Sequence, residues 1–171
     1  SYLPYLLQAN LNNMYFCGAI VLHGIVIFPG TLPNPSRLVR LPELMTKYVF
    51  VPDEMTWNEH YERAVAMSGH LATITSAEEN DQVTRIANGR SVWIGGMRKG
   101  RGNGPGSEHW YWSDGRPWKF TNWNTGEPNN YGGGENRIQL YGAHRGFWND
   151  VGEGWRGPAV YRIPAESILS S

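Results

Sequence analysis

The sequence predicts an α+β domain, and three observations carry that expectation. Two helix-capping patterns lie close together in the first half, short strand-like segments surround them, and a long Gly/Asn/Pro-rich segment interrupts the second half. Local capping and period-2 patterning are the features that a chain writes most directly into its sequence.

The first 45 residues read differently from the rest. Met14 to Phe28 is apolar apart from His23 and stops at Pro29-Gly30. A run of about 15 residues falls short of the roughly 20 that cross a bilayer. No Lys or Arg precedes it and no small-x-small cleavage pattern follows it, as a secretory leader requires. Three readings stay open: a buried strand or hairpin, membrane association through residues 11–28, or a remnant of a targeting sequence. Residues 29–42 hold four prolines and read as a linker. The expected organisation is therefore an N-terminal segment and linker over 1–45, a domain over 46–164 and a tail over 165–171.

The elements of the domain follow in order. A strand is expected around Tyr48–Val51. Thr56-x-x-Glu59 is a capping box, in which the Thr oxygen accepts from the N3 amide and the Glu carboxylate accepts from the N-cap amide. The helix it opens places Trp57, Tyr61, Ala64 and Val65 on one face, and Gly69 ends it. Leu71–Ile74 reads as a short strand. Ser76-x-x-Glu79 caps a second helix, closed near Asn88-Gly89, where a left-handed residue terminates helices. Ser91–Gly95 alternates and carries Trp93, a core-strand pattern. Arg98–Ser107 holds four glycines and reads as a mobile loop. Strands near His109–Ser113, Arg137–Leu140 and Ala159–Ile163 are expected to complete an antiparallel sheet. The irregular stretch Asp114–Gly134 is too long for an idle connection in a compact domain, unless it serves a function.

Composition excludes several functions. Fifteen Lys/Arg balance fifteen Asp/Glu with no basic cluster, which argues against nucleic acid or an anionic lipid surface as partner. Eight Trp beside 21 Gly suit a loop-rich domain filled by a few large side chains. Cys17 is the sole cysteine, so no disulfide can form within the chain.

The candidate chemistry lies in Glu127-Pro128-Asn129, Glu135 and Trp148-Asn149-Asp150. Glu127, Asn129, Glu135, Asn149 and Asp150 offer carboxylate and amide oxygens, the donors that a hard cation such as Ca²⁺ takes six to eight at a time. Neither thiolate nor imidazole stands among them, which disfavours a soft metal. On residue types alone the stretch reads first as ordinary polar surface. A glycosidase pair of Glu127 and Glu135 is a further reading, but cation-bound carboxylates are poor general acids. The domain has no nucleophile elbow, no H-E-x-x-H and no cysteine near a histidine. No catalysis is expected.

The surrounding residues change the balance. The string W-Y-W-S-D-G-R-P-W-K-F-T-N-W-N-T-G-E-P-N-N, then G-G-G-E-N, then F-W-N-D, resembles the carbohydrate-recognition core of C-type lectins. Upstream, T-W-N-E-H-Y-E-R-A-V-A-M-S-G-H-L-A-T-I-T-S-A-E-E-N and V-W-I-G-G are similar to that family's two helices and early core strand. The resemblance runs from about Tyr48 to Arg162, roughly two-thirds of the chain.

The resemblance implies a C-type lectin-like fold, with two helices, small antiparallel sheets and a long calcium-binding loop. It implies one Ca²⁺ held by Glu127, Asn129, Glu135, Asn149 and Asp150, which also serve as the carbohydrate-binding residues, with Pro128 in a cis bond. Glu-Pro-Asn is the mannose-type signature, for equatorial 3,4-diols as in mannose, glucose, N-acetylglucosamine or fucose; galactose-type members carry Gln-Pro-Asp. Arg98, Asn130 and Asn136 stand where other family calcium positions have acids, so a single ion is expected. The family's two disulfides fall at Ala64 with Tyr161 and at Arg137 with Glu153. The second pair suggests an ion pair doing a bridge's work, and the first suggests a phenol packed over a small residue. Trp93, Trp110, Trp112 and Trp148 are expected in the core and Trp123 beneath the long loop. Tyr131, His144 and Arg145 flank the site. The implied partners are glycans or glycoproteins outside the cell or in a lumen, where calcium is abundant. The competing expectation is a lectin-like scaffold for protein or ice contact, possible also as a subunit of a membrane assembly.

Overall fold

The computed structural model describes residues 20–22, 25–27, 46–142 and 146–164. The chain divides into two units, 1–44 and 45–171. In the first, β1 (Ile20–Leu22) and β2 (Ile25–Ile27) pair antiparallel, Ile20 opposite Ile27. Both are runs of branched aliphatic residues, which favour the extended backbone. The Pro-rich linker and the 165–171 tail lie outside the described residues. No helix among the described residues is long and apolar enough to cross a membrane.

The second unit contains β3 (Thr46–Met55), α1 (Trp57–Ala66), β4 (His70–Leu71), α2 (Ala77–Ala87), β5 (Val92–Arg98), β6 (Trp110–Trp112), β7 (Glu135–Leu140), β8 (Trp148–Gly152) and β9 (Gly157–Pro164). The sheet order is β3-β9-β5-β7-β8, with β4 on β9 and β6 on β5. Strand β9 closes the domain by lying antiparallel to β3, from Thr46 opposite Pro164 to Val51 opposite Ala159. It also lies parallel to β5 at Trp93 and Ala159, so the sheet is not wholly antiparallel as expected. The strand expected over Leu71–Ile74 is confined to His70–Leu71.

The caps form as the sequence implies. Thr56 Oγ1 accepts from Glu59 N at 3.3 Å, and Glu59 Oε2 accepts from Thr56 N at 2.7 Å. At α2, Ser76 Oγ accepts from Glu79 N at 3.2 Å, whereas the Glu79 carboxylate turns to Thr75 N and to Arg116. Asn88 ends α2 at φ 47°, the left-handed conformation.

One expected helix face needs correction. Val65 is 47% exposed, while His60 is fully buried. His60 Nε2 lies 2.8 Å from the Gly157 carbonyl, which only accepts, so that nitrogen carries the proton. Nδ1 then accepts from the Tyr161 hydroxyl at 2.7 Å. Burial holds the imidazole below its ordinary pKa, and thus neutral. A polar residue with two internal partners fills a core position that hydrophobic periodicity assigns to an aliphatic.

Four of the Trp residues, Trp93, Trp110, Trp112 and Trp148, are buried as expected. They divide between the faces of the sheet. Ile94, Trp110, Trp112, Ile138 and Trp148 form one cluster, and Trp57, Ala64, Trp93 and Tyr161 form the other.

The positions of the missing bridges are filled by other means. Ala64 and Tyr161 are both fully buried in the second cluster. Arg137 meets Glu153 at 2.8 Å and lies over the Trp57 ring at 4.6 Å from its centroid. Glu153 is half exposed, so the ion pair contributes at most about 1 kcal/mol, and the ring contact adds about 0.5–1 kcal/mol. Arg137→Met is therefore expected to cost about 1–2 kcal/mol in urea denaturation, and Glu153→Gln less. An unchanged midpoint for Arg137→Met would remove the clamp from the account.

Candidate metal and saccharide site

The long loop reaches β8 through its own backbone. Trp148 N donates to Asn122 O at 2.8 Å, and Asn124 N donates to Trp148 O at 2.8 Å. Trp118 and Trp123 pack against the cluster around Trp110 and Trp148. Both donate their indole N–H groups to Pro105 O, at 3.2 and 3.3 Å. The Gly-rich loop after β5, expected to be mobile, is thereby tied to the long loop.

With the loop anchored, its ligand-type residues meet β8. The Glu127–Pro128 peptide is cis. Asn129 N and Asn130 N donate to the two oxygens of Asp150, each at 2.9 Å. Tyr131 N donates to Asn129 Oδ1 at 2.7 Å and to Glu135 Oε2 at 2.6 Å, and Glu135 N donates to Asn130 Oδ1 at 3.1 Å. Strand β8 pairs with β7, which sets Asn149 opposite Gln139 and Asp150 opposite Ile138. Sequence patterning left β8 out because only Trp148 and Val151 in it are apolar.

The electrostatics are those of crowded acids. Burial and the neighbouring Asp150 and Glu135 push the Glu127 carboxyl above its ordinary range. Burial raises Glu135 as well, with Asp150 adding to it and Arg98 opposing. The Tyr141 hydroxyl is bonded to Asn149 and faces the same carboxylates, which raise its pKa after burial has done so. All five sequence-derived site residues thus gather in one place, with Tyr141 as an unforeseen neighbour. Tyr131 is 84% exposed at the rim, and His144 and Arg145 lie outside the described residues.

Two observations test whether a hard cation fits. Glu127 Oε2 is buried with no hydrogen-bond partner, and it stands among oxygen donors. A buried carboxylate oxygen without a donor is unfavourable and calls for positive charge. Among the described residues, however, no three acidic, His or Cys groups already stand in chelating geometry. The donor chemistry fits, and the protein itself occupies Asp150.

That occupant is Arg98, the residue that sequence reading left as a mere absence of an acid. It is 7% exposed and forms a fully buried ion pair with Asp150 Oδ2. Its Nε donates to Glu135 O at 2.8 Å, Nη1 donates to Gly102 O, and the guanidinium lies over Trp110 at 4.7 Å. A signal was present in the alternation of β5: Ile94, Gly96 and Arg98 share one face, so Arg98 points the way a core residue points.

Residues 53–160 match the model of the lectin C-type domain. The chain is a member of the C-type lectin domain family. Among curated relatives, human C-type lectin domain family 4 member G is 34% identical over 61% of this chain and 34% of its own length. The mouse low affinity immunoglobulin epsilon Fc receptor is 34% identical over 74% of this chain and 36% of its own. The chain therefore spans about a third of these two relatives. Among solved structures, the cow CD23 carbohydrate-recognition domain, determined with a GlcNAc2Man3 oligosaccharide, superposes with TM-score 0.61 at 27% identity, covering 86% of this chain and 98% of that one. A calcium-independent type II antifreeze protein shares the fold at TM-score 0.62 and 24% identity, over 88% of this chain and 98% of its own. The C-type lectin domain is in general a carbohydrate-binding, non-catalytic domain.

Proposed function

We infer that this lectin domain binds neutral sugars through a single Ca²⁺, with mannose-type selectivity. The observation that carries the reading is the buried, unpartnered Glu127 oxygen among Asn129, Glu135, Asn149 and Asp150. Glu127, Asn129, Glu135, Asn149 and Asp150 would hold the ion, which supplies inner-sphere positions for two vicinal hydroxyls. Around it, carboxylate oxygens of Glu127 and Glu135 accept from the sugar O–H groups, and the amide NH₂ of Asn129 and Asn149 donates to the sugar oxygens. Such paired, charge-assisted bonds grip a neutral ligand that has no charge of its own. The order Glu127 then Asn129 sets the donor and acceptor sequence for an equatorial 3,4-diol. Arg98, Asn130 and Asn136 supply no negative charge for a further cation, which supports one ion. A calcium-rich exterior or lumen is the compartment that suits such a site.

Glycan-array binding with calcium and with chelator tests this directly. Mannose-type binding that disappears on chelation is expected, and Glu127→Gln with Asn129→Asp should move preference towards galactose. Unchanged selectivity in the pair variant would overturn the diol argument. A second reading, a lectin-like scaffold for protein or ice contact, is favoured by Asp150 finding all its donors within the protein. It predicts no sugar signal in either condition.

A further inference from the structure

A cavity of about 580 Å³ opens beside the site, lined by Arg98, Gly100, Arg101, Asn130, Gly133 and Asn136. We propose that this cavity is a subsite for an anionic group, a sulfate ester or a carboxylate, carried on the same saccharide that the adjacent site holds. The proposal deepens the calcium-lectin reading and rests on it for the position of the sugar.

Charge is the first argument. The lining holds two guanidinium groups and two amides, and no acid. Arg98 forms the inner wall, its guanidinium already committed to Asp150, Glu135 O and Gly102 O. Arg101 is exposed and makes no ion pair among the described residues. The acid of this loop, Glu108, folds back against Gly104 and Gly106, outside the lining. Counting formal charges, Glu127, Glu135 and Asp150 with Arg98 sum to about −2, which a divalent ion cancels. Arg101 then gives the cavity lining a positive surplus.

Donors and reach are the second argument. Asn130 accepts from Glu135 N through Oδ1, which leaves its amide NH₂ as a donor. Gly133 stands at φ 80° and Gly100 at φ 72°, and neither has any atom near the place of a Cβ, so both walls are open. Asn130 directly follows Asn129 of the sugar site, so the cavity adjoins that site. Arg with amide donors is the set that recognises sulfate and carboxylate oxygens.

The experiment compares one mannose-type oligosaccharide in neutral, sulfated and uronic-acid forms, with free inorganic sulfate as competitor, on the lectin domain and on Arg101→Ala. In calcium, the charged forms are expected to bind about two- to fivefold more tightly than the neutral one, in line with a partly exposed charge contact. Arg101→Ala should erase that preference and leave neutral-sugar affinity and the thermal midpoint unchanged. Free sulfate should compete with the charged forms only. Equal affinity of neutral and charged forms, both lost on chelation, overturns the subsite while the calcium reading stands. A preference that survives in chelator and vanishes in Arg101→Ala supports the subsite and overturns the calcium reading. A preference retained in Arg101→Ala overturns the subsite, and no binding of any form overturns both.

Discussion

Asp150→Ala is expected to destabilise the lectin domain by about 3–5 kcal/mol and to abolish calcium-linked sugar binding. The reason is what it leaves behind. The side chain is fully buried, and it pairs with Arg98, itself almost wholly enclosed. Removing one member of a buried pair strands the other charge, which costs far more than the net worth of the pair. Two N–H groups, of Asn129 and Asn130, lose their acceptor at the same time. Arg98→Met combined with Asp150→Ala should recover part of the loss, because no charge is then left unpaired. Urea denaturation in chelator, run as a double-mutant cycle, measures this coupling. A loss below about 1 kcal/mol for Asp150→Ala would mean that solvent reaches Arg98 and that the pair does not brace the loop.

Trp148→Ala is expected to cost a similar 3–5 kcal/mol, as large aromatic-to-Ala changes in cores do. The indole is fully buried and meets Trp112, Trp118, Phe120 and Trp123 at centroid distances of 5.6, 6.0, 5.8 and 5.7 Å. Its Nε1 donates to Asn80 Oδ1 at 2.9 Å, which joins β8 to α2. The loop that bears Glu127 and Asn129 is fixed to the backbone of this same residue. Loss of the ring should therefore release the loop as well as the core. Trp148→Phe keeps most of the packing and loses the indole hydrogen bond, for about 1–2 kcal/mol. Thermal denaturation ranks the two variants, and limited proteolysis within 113–134 reports on the loop. A Trp148→Ala protein with a protected loop would show that the anchoring lies elsewhere.

How much of this was legible beforehand differs from element to element. The helix of Thr56 and Glu59 was readable because a capping box is a contact between residues three apart. The oxygen-donor set was readable because it sits in two short motifs whose residue types already state the chemistry. Strand β8 was not, since Trp-Asn-Asp-Val-Gly acquires its extended form from pairing with β7 rather than from its own preferences. His60 was missed because periodicity sees a polar residue and cannot see the Tyr161 hydroxyl 101 positions away. The loop of four glycines looked free for the same reason, as its ties run to Trp118 and Trp123.

By itself the sequence determined the two helices, the single-cysteine chemistry and the identity of the five oxygen-bearing residues, all of which depend on short-range order along the chain. Only the tertiary structure decided that Arg98 meets Asp150, 52 positions away, inside the protein. The same meeting decided that a basic cavity opens where the sequence showed only the loss of acids. Burial converts an isolated arginine into a fixed charge with a defined partner, and burial is a property of the folded sheet and loops together, which no local pattern encodes.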